Sequence, residues 1–462
     1  MPPTRGQSTM TPSEAQLIAR WDGHAPRYTS YPTAAAFGPA VGAADWADAL
    51  GGAAAHGPAS LYVHLPFCKR LCWYCGCNTR AVNRAETISS YVDLLLREAD
   101  LVAKNVGTRL RIDRLHLGGG TPNMLAPDDL RRLVEGLADR FDFGTLTEFA
   151  AELDPETLTP AWVAAAGDLG LTRASLGVQD LSPEVQAAVN RPEAFETIIG
   201  AAQSLRRAGI FSLNLDLMYG LPRQGVAEVE ATLQQVLTLR PERLALFGYA
   251  HVPWMKPHQK LIDAAELAGP ADRFAMSRAA HDLLVAAGYE AVGLDHFALP
   301  NDDLAAAARV GRLRRNFQGY VTDACEVLIG LGASSISRTP DLYVQNVALE
   351  RDWRAAVGAG LSPVVRGTRL SQRDRLIAAV IERLMCDFRV DVDAVAADLG
   401  VPLAGQLDFA APTLARLSAD GLVSHHGGLV EVTGRGRPFL RAVAAAFDPA
   451  VPSTTPRHAR VI

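Results

Sequence analysis

The 462 residues carry 45 Lys and Arg against 50 Asp and Glu, a net charge of −5, and are 48% hydrophobic and 21% charged. That length and composition exclude overall disorder and suggest two or three domains around a large core. The mildly acidic balance gives no nucleic-acid footprint, so an anionic substrate has to be met by local arginines. Residues 1 to about 55 are rich in Gly, Ala and Pro with weak periodicity, and read as an extension with one or two short helices. The opening MPPTRGQSTM has no apolar signal stretch, cysteines are few, and no apolar run of about eighteen residues marks a membrane span. The chain therefore reads as soluble and cytosolic, and as a monomer.

From there a rhythm begins. Strand-like runs lie at Leu61–Leu65, Arg114–Leu117, Glu148–Leu153, Arg173–Gly177, Ser212–Met218 and Arg243–Phe247, with helix-like stretches between them, among them Ser90–Lys104, Pro127–Arg140, Ala194–Ala208 and Val226–Leu239. Strands alternating with helices predict a parallel sheet of βα units. The expected fold is α/β: a partial (β/α)6, TIM-like barrel with an N-terminal extension and a mainly α-helical C-terminal domain. Expected boundaries are 1–55 for the extension, 56–300 for the barrel, 301–365 for a connecting substrate-site segment and 366–462 for the C-terminal domain. In the last, a helix at Ser371–Met385 with Ser371 as N-cap is followed by helices near Val392–Leu399 and Ala411–Ala419. A hairpin at Leu422–Val432 turning at His426-Gly427, a helix at Gly436–Ala446 and a Pro/Ser/Thr tail complete it. Helices plus a hairpin resemble a winged helix, but no basic cluster accompanies them, which favours a lid over the barrel rather than DNA binding.

Each strand ends in polar or glycine-rich sequence, where βα barrels build active sites. Four of the six cysteines fall within ten residues after the first strand, as Cys68, Cys72, Cys75 and Cys77. The first three form C-x3-C-x2-C. Three thiolates suit a 4Fe–4S cluster with one iron left open, since such clusters take one thiolate per iron. A structural zinc wants a second ligand pair, whereas Cys325 and Cys386 stand alone. After the second strand comes Gly118-Gly119-Gly120-Thr121-Pro122, which either lets backbone approach a ligand or makes a tight turn. Glu152 and Asp154, Gln179 and Asp180, Asp216 and Tyr219, and Tyr249, Ala250 and His251 mark the remaining ends. Glu152 and Asp216 suit ribose hydroxyls or an ammonium, or else cap the next helix. Arg191 suits a bidentate carboxylate, or else forms a surface ion pair.

The cysteine loop, Tyr74 before Cys75 and the GGGTP turn resemble the radical S-adenosylmethionine (SAM) enzymes. RYTSYPT (Arg27–Thr33), CGCN (Cys75–Asn78), GVQD (Gly177–Asp180), VNR (Val189–Arg191), DLMYGLP (Asp216–Pro222), GLDHFALP (Gly293–Pro300), RNFQGY (Arg315–Tyr320) and YVQN (Tyr343–Asn346) extend the likeness. Together they resemble the oxygen-independent coproporphyrinogen III oxidase family, from about residue 20 to Ile462. The resemblance implies a 4Fe–4S cluster on Cys68, Cys72 and Cys75, and SAM surrounded by Tyr62, Tyr74, Gly119, Gly120, Thr121, Glu152, Gln179, Arg191, Asp216 and Ala250. It implies a second SAM near Gln318 and Ile336, although Ile336 also reads as core, and catalytic roles for Glu152 and Gln318. The implied reaction turns two propionates of coproporphyrinogen III into vinyl groups, through a 5′-deoxyadenosyl radical that takes hydrogen from each. The electron donor and acceptor are not identified by sequence. Arg27, Arg314 and Arg315 are candidates for the propionates, and Tyr28, Tyr31, Phe317 and Tyr320 for the walls. His64, His116, His251 and His296 add site polarity. Cys77 is a spare thiol, a packing residue or part of an electron path, and not a ligand. The alternative is a haem chaperone with the same three-cysteine loop; Cys77 and the RYTSYPT extension favour the oxidase.

Overall fold

Strands of a parallel sheet covered by helices carry at least one buried apolar face and are closed by turn residues, and six of them form the centre of the computed structural model, which describes residues 12–450 and 459–462. They are β1 (Ala59–Leu65), β2 (Ile112–Gly119), β3 (Glu148–Leu153), β4 (Arg173–Gln179), β5 (Ser212–Tyr219) and β6 (Arg243–Gly248), side by side in chain order and all parallel. The register sets apolar residues abreast: Leu61 beside Leu115, Leu115 beside Phe149, and Leu176 beside Leu215. Helices Ala85–Val106, Pro127–Arg140, Pro160–Asp168, Phe195–Arg207, Val226–Leu237 and Pro270–Ala286 follow the strands in turn. Ala85–Val106 shows why: Ile88, Tyr91, Val92, Leu95, Ala99, Val102 and Val106 make one buried stripe at helical spacing, and Gly107 ends it at φ +73 with its N–H on Ala103 O.

The sheet runs to twelve strands. Beyond β6 it adds the short antiparallel pair β7 (Glu290–Val292) and β8 (His296–Ala298), with β8 against β6. Beyond β1 it adds a seventh parallel strand, β9 (Val327–Leu331), then the antiparallel run β10 (Ile336–Thr339), β11 (Leu342–Asn346) and β12 (Val364–Arg369). The sequence reading assigns no strand to 301–365, yet β9, β10 and β11 lie there. β9 (VLIGL) is a short, wholly buried apolar run that the reading passes over, whereas the polar ISRT and YVQN stretches of β10 and β11 hide their buried face. Glu98 secures this addition: its carboxylate accepts from Gly332 N (2.7 Å), Asn346 Nδ2 (2.6 Å) and Trp353 Nε1 (3.1 Å).

A second core joins the two ends of the chain. Leu17, Ile18, Trp21, Tyr28 and Tyr31 pack with Leu376, Val380, Leu384, Phe439, Phe447, Val461 and Ile462. Arg441 donates to the carbonyls of Ala25, Pro26, Ala459 and Arg460, and Ile462 N donates to Asp22 Oδ1 at 2.9 Å. The helix expected at Ser371–Met385 runs Gln372–Asp387, with Ser371 and Asp374 exchanging hydrogen bonds as a capping box. The hairpin strands are Val423–His426 and Leu429–Val432, and since His426 pairs with Leu429 the turn is Gly427-Gly428, one residue beyond the expected position. The final helix is shorter than expected, Leu440–Ala445, because Arg437–Phe439, with Pro438, forms a separate 3-10 turn. No helix among the described residues is long and apolar enough to cross a membrane. The opening MPPTRGQSTM and most of the Pro/Ser/Thr tail lie outside the described residues.

Candidate active site

The cysteine loop leaves β1 and is closed at its base, where Phe67–Cys68 pairs with Arg80–Ala81. Cys72 is buried, Cys68 and Cys75 are half-buried, Cys77 is exposed, and all are free thiols. Each of the three expected ligands faces a donor. Thr79 Oγ1 lies 3.0 Å and Thr121 Oγ1 3.5 Å from Cys68 Sγ, Arg191 donates to Cys72 Sγ at 3.6 Å, and Cys77 N donates to Cys75 Sγ at 3.4 Å. Burial pushes the Cys68 thiol up, whereas hydrogen bonding from Cys77 brings Cys75 down to about 7. Among the described residues no three His, Cys, Asp or Glu side chains converge as ligands of one ion; a four-iron cubane instead takes its thiolates one to a corner.

Two distant segments hold this loop. Trp73 N donates to Val189 O (2.9 Å) and Asn190 Nδ2 to Leu71 O (3.0 Å), which gives the VNR motif a physical role. From beyond β6, Gln259 Nε2 donates to Tyr74 O (3.0 Å) and Ala250 O (3.2 Å), His258 Nε2 meets Cys75 O at 2.7 Å, and Lys256 donates to Cys77 O at 3.0 Å. Trp73 and Tyr74 pack on Val185, Val189, Leu221, Tyr249 and Ile262. The sequence reading missed Lys256, His258 and Gln259. Their one signal is polar side chains on both sides of Pro257, just after Trp254 and Met255, and backbone acceptors leave no trace in a sequence.

The glycine run has close protein neighbours. A Cβ on Gly118 would sit 2.9 Å from Glu152 Oε1; on Gly119, at φ +111, 2.5 Å from the His64 ring; on Gly120, 2.6 Å from Phe67 O. Gly119 N donates to Glu152 Oε2 at 3.0 Å. The glycines therefore let β2 and its turn close on the cysteine loop and on Glu152.

Glu152 caps no helix. His116 Nε2 lies 3.1 Å from its Oε1, and although burial pushes its pKa up, His116 and the Gly119 N–H outweigh that and hold it below the ordinary range. Asp216 receives Ser175 Oγ (2.8 Å) and Asn214 Nδ2 (2.7 Å), and burial raises it to about 6 despite those bonds. Asp180 is buried and bound by Ser182 N, Gln224 and Thr232, so it serves the strand-to-helix turn. Gln179 stands at φ +68, with its amide 3.1 Å from where a Gly177 Cβ would be. Arg191 is buried, not on the surface: it donates to Gly177 O (2.6 Å), Asp154 (3.3 Å) and Glu193 (3.4 Å). Tyr62 OH meets His64 Nδ1 at 3.1 Å, His64 Nε2 meets Asn78 O at 2.8 Å, and the Tyr62 ring stacks on His116 at 5.7 Å. His251 pairs with Tyr249 OH at 2.9 Å and His296 with Asp295 at 2.7 Å.

Other candidates divide. Gln318 and Ile336 are half-buried, on the Arg314–Val321 hairpin and on β10. Arg27 donates to Gly248 O at 2.5 Å, and Arg315 lies 4.3 Å over the Tyr320 ring. Arg314 is exposed and paired with Glu382 at 3.2 Å, away from these groups. Tyr28 and Tyr31 belong to the second core, where Tyr28 OH donates to Asp448 at 3.0 Å, so they are core residues and not free walls.

Several buried polar atoms near the strand ends have no protein partner: Arg191 Nε, Glu193 Oε1, Asn214 Oδ1 and Gln318 Nε2. With three thiols on one loop and an ionised Glu152, this donor set fits a cluster and a zwitterionic ligand with polar ends.

The likeness to known proteins spans nearly the whole chain. Residues 62–236 match the Radical SAM superfamily and 370–439 the HemN C-terminal domain. The oxygen-independent coproporphyrinogen III oxidase of Paracoccus denitrificans is 41% identical over 444 residues, 94% of this chain and 96% of that one. The Escherichia coli protein of the same name is 36% identical over 94% of each chain. This chain belongs to the oxygen-independent coproporphyrinogen III oxidase family. The solved structure of the Escherichia coli coproporphyrinogen III oxidase, described as a radical SAM enzyme, superposes with a TM-score of 0.86 at 35% identity, covering 92% of this chain and 97% of that one. Membership of the radical SAM superfamily implies a 4Fe–4S cluster and SAM. In this chain the cysteine loop, the glycine turn and Glu152 lie together at the ends of β1, β2 and β3.

Proposed function

We propose that this chain converts coproporphyrinogen III to protoporphyrinogen IX without oxygen, turning two propionates into vinyl groups. The observation that carries the reading is the 41% identity over 94% of the chain to an oxidase of that name, supported by the thiol loop at the barrel mouth.

In this reading Cys68, Cys72 and Cys75 hold the cluster. Tyr62, Tyr74, Gly119, Gly120, Thr121, Glu152, Gln179, Arg191, Asp216 and Ala250 surround one SAM, and Gln318 and Ile336 adjoin a second. Cluster and SAM, when bound, supply a 5′-deoxyadenosyl radical able to take a hydrogen atom from carbon. Each propionate loses one hydrogen atom from its β-carbon; the Cα–carboxylate bond then breaks, carbon dioxide leaves, one electron passes to an acceptor, and a vinyl group remains. Two propionates consume two SAM. Glu152 stays ionised and is fixed by Gly119 N–H and His116, which suits an ammonium or ribose hydroxyls. Arg191, already bonded to Cys72 Sγ and Asp154, orients the loop. Gln318 has an amide nitrogen free of protein partners and can donate to a ligand.

The test is anaerobic reconstitution with coproporphyrinogen III, SAM and a low-potential reductant, reading vinyl product as protoporphyrin fluorescence and counting 5′-deoxyadenosine. Product from wild type and none from Cys72→Ala supports the reading. Cofactor cleavage without vinyl product keeps the radical chemistry and removes this substrate.

A further inference from the structure

A small, partly open pocket of about 20 Å³ lies between the start of β1 and the Arg314–Val321 hairpin, lined among others by Ser60, Arg315, Asn316, Asp323, Arg338 and Tyr343. Three of these carry buried polar atoms with no protein partner: Ser60 Oγ, Arg315 Nε and NH1, and Arg338 Nε. Arg315 is 8% exposed, so its unpaired N–H groups are not open to bulk water. A buried guanidinium left with free donors is costly unless an acceptor fills the gap. The arginines are held by ring faces, Arg315 over Tyr320 at 4.3 Å and Arg338 over Tyr343 at 5.7 Å, which fixes their planes without using their in-plane N–H groups. The acidic side chain in the lining, Asp323, is turned onto Cys325 N at 3.0 Å. The volume holds a carboxylate head or one or two waters and no ring.

Placement says which carboxylate. Ile336 and Arg338 alternate onto one face of β10, and Arg315 shares its hairpin with Gln318. Ser60 is near the start of β1, the opposite end from the cysteine loop. We propose that Arg315 and Arg338 form a carboxylate pocket that anchors one propionate of the tetrapyrrole while another propionate lies at the strand ends. This rests on the function proposed above. The methionine carboxylate of SAM has the same chemistry and is the competing occupant.

The experiment is equilibrium dialysis of the reconstituted protein, without reductant so that nothing turns over, against coproporphyrinogen III and separately against SAM. Arg338→Gln is expected to weaken coproporphyrinogen III roughly tenfold or more, leave SAM within about twofold, and be partly rescued by Arg338→Lys. Iron content and melting temperature, followed in both variants, separate this from misfolding, and Arg315→Lys provides a second, charge-retaining variant that loses the fork. Unchanged coproporphyrinogen III affinity in Arg338→Gln, or a loss confined to SAM, overturns the pocket while the function stands. A wild type that binds no coproporphyrinogen III overturns both.

Discussion

His258 Nε2 lies 2.7 Å from the carbonyl oxygen of Cys75, across 183 residues of chain. The contact belongs to a clamp in which a segment after β6 grips backbone oxygens of the cysteine loop, while Asn190 and Val189 hold its other flank. A loop that has to present thiolates to a preformed cluster gains from being held from two sides before the cluster arrives, because outer contacts orient the ligands.

Gln259 is the strongest test of the clamp. It is 1% exposed and binds Tyr74 O, Ala250 O and Val252 N. Gln259→Ala leaves these buried groups unmatched, at about 1–3 kcal/mol for such a group. Iron bound per chain after reconstitution should fall, with a smaller effect on the melting temperature. Full iron retention would mean that the loop holds its shape unaided.

Gly120→Ala tests the packing of the glycine turn. The new Cβ would lie 2.6 Å from Phe67 O and 2.8 Å from Phe67 N, and backbone cannot swing aside as a side chain can. The base of the cysteine loop must shift, at about 1–3 kcal/mol. Iron and sulfide assays should show a depleted cluster in a protein whose circular dichroism is unchanged. Gly76, whose added Cβ would meet nothing within 4 Å, supplies the control: Gly76→Ala should keep its iron.

Much of this was legible in the sequence, and the exceptions have physical causes. The six central strands lie within two residues of the ends expected from sequence, because each carries at least one buried apolar face bounded by turn residues. The thiol loop and Glu152 were legible because polar groups at strand ends stand out against those apolar faces. The additional strands β10 to β12 were not, since polar stretches such as ISRT and VVRGTR resemble loop sequence, while β9, the apolar VLIGL, was legible as a buried run and was passed over. The glycine run reads either as backbone approaching a ligand or as a tight turn, and the close neighbours His64, Glu152 and Phe67, which its missing Cβ atoms admit, leave no signal in the sequence. Tyr28 and Tyr31 were read as substrate walls because the motif that carries them is site-like; only the joining of the chain's two ends buries them.

Cys77 is open to a direct substitution. It is exposed, and both its thiol and its backbone N–H hydrogen-bond Cys75 Sγ. Cys77→Ala removes the thiol contact and keeps the backbone one and all three expected ligands, so it should keep its cluster by iron count and visible absorbance, while Cys72→Ala, which removes a buried thiol, should lose it. A Cys77→Ala protein without iron would show that the Cys77 thiol is needed to hold the cluster.

Glu98 gives a pH dependence with a definite sign. Burial raises its pKa from 4.5 to about 7, against the hydrogen bonds from Gly332 N, Asn346 and Trp353. Between those values the folded protein keeps a proton that the unfolded chain has released, so stability falls as pH rises through that window and the loss is complete above pH 7. The loss amounts to up to about 3 kcal/mol. Glu98→Gln has no proton to lose, so the fall in melting temperature of the metal-free protein between about pH 5 and 8 should shrink. A residual slope is expected from Asp180 and Asp216, each raised to about 6, and from Glu193, raised to about 7. Because Gly332 directly follows β9 and Asn346 ends β11, hydrogen exchange in the metal-free protein should rise first in these two strands as the pH passes 7. An unchanged slope in Glu98→Gln would place the titrating group elsewhere.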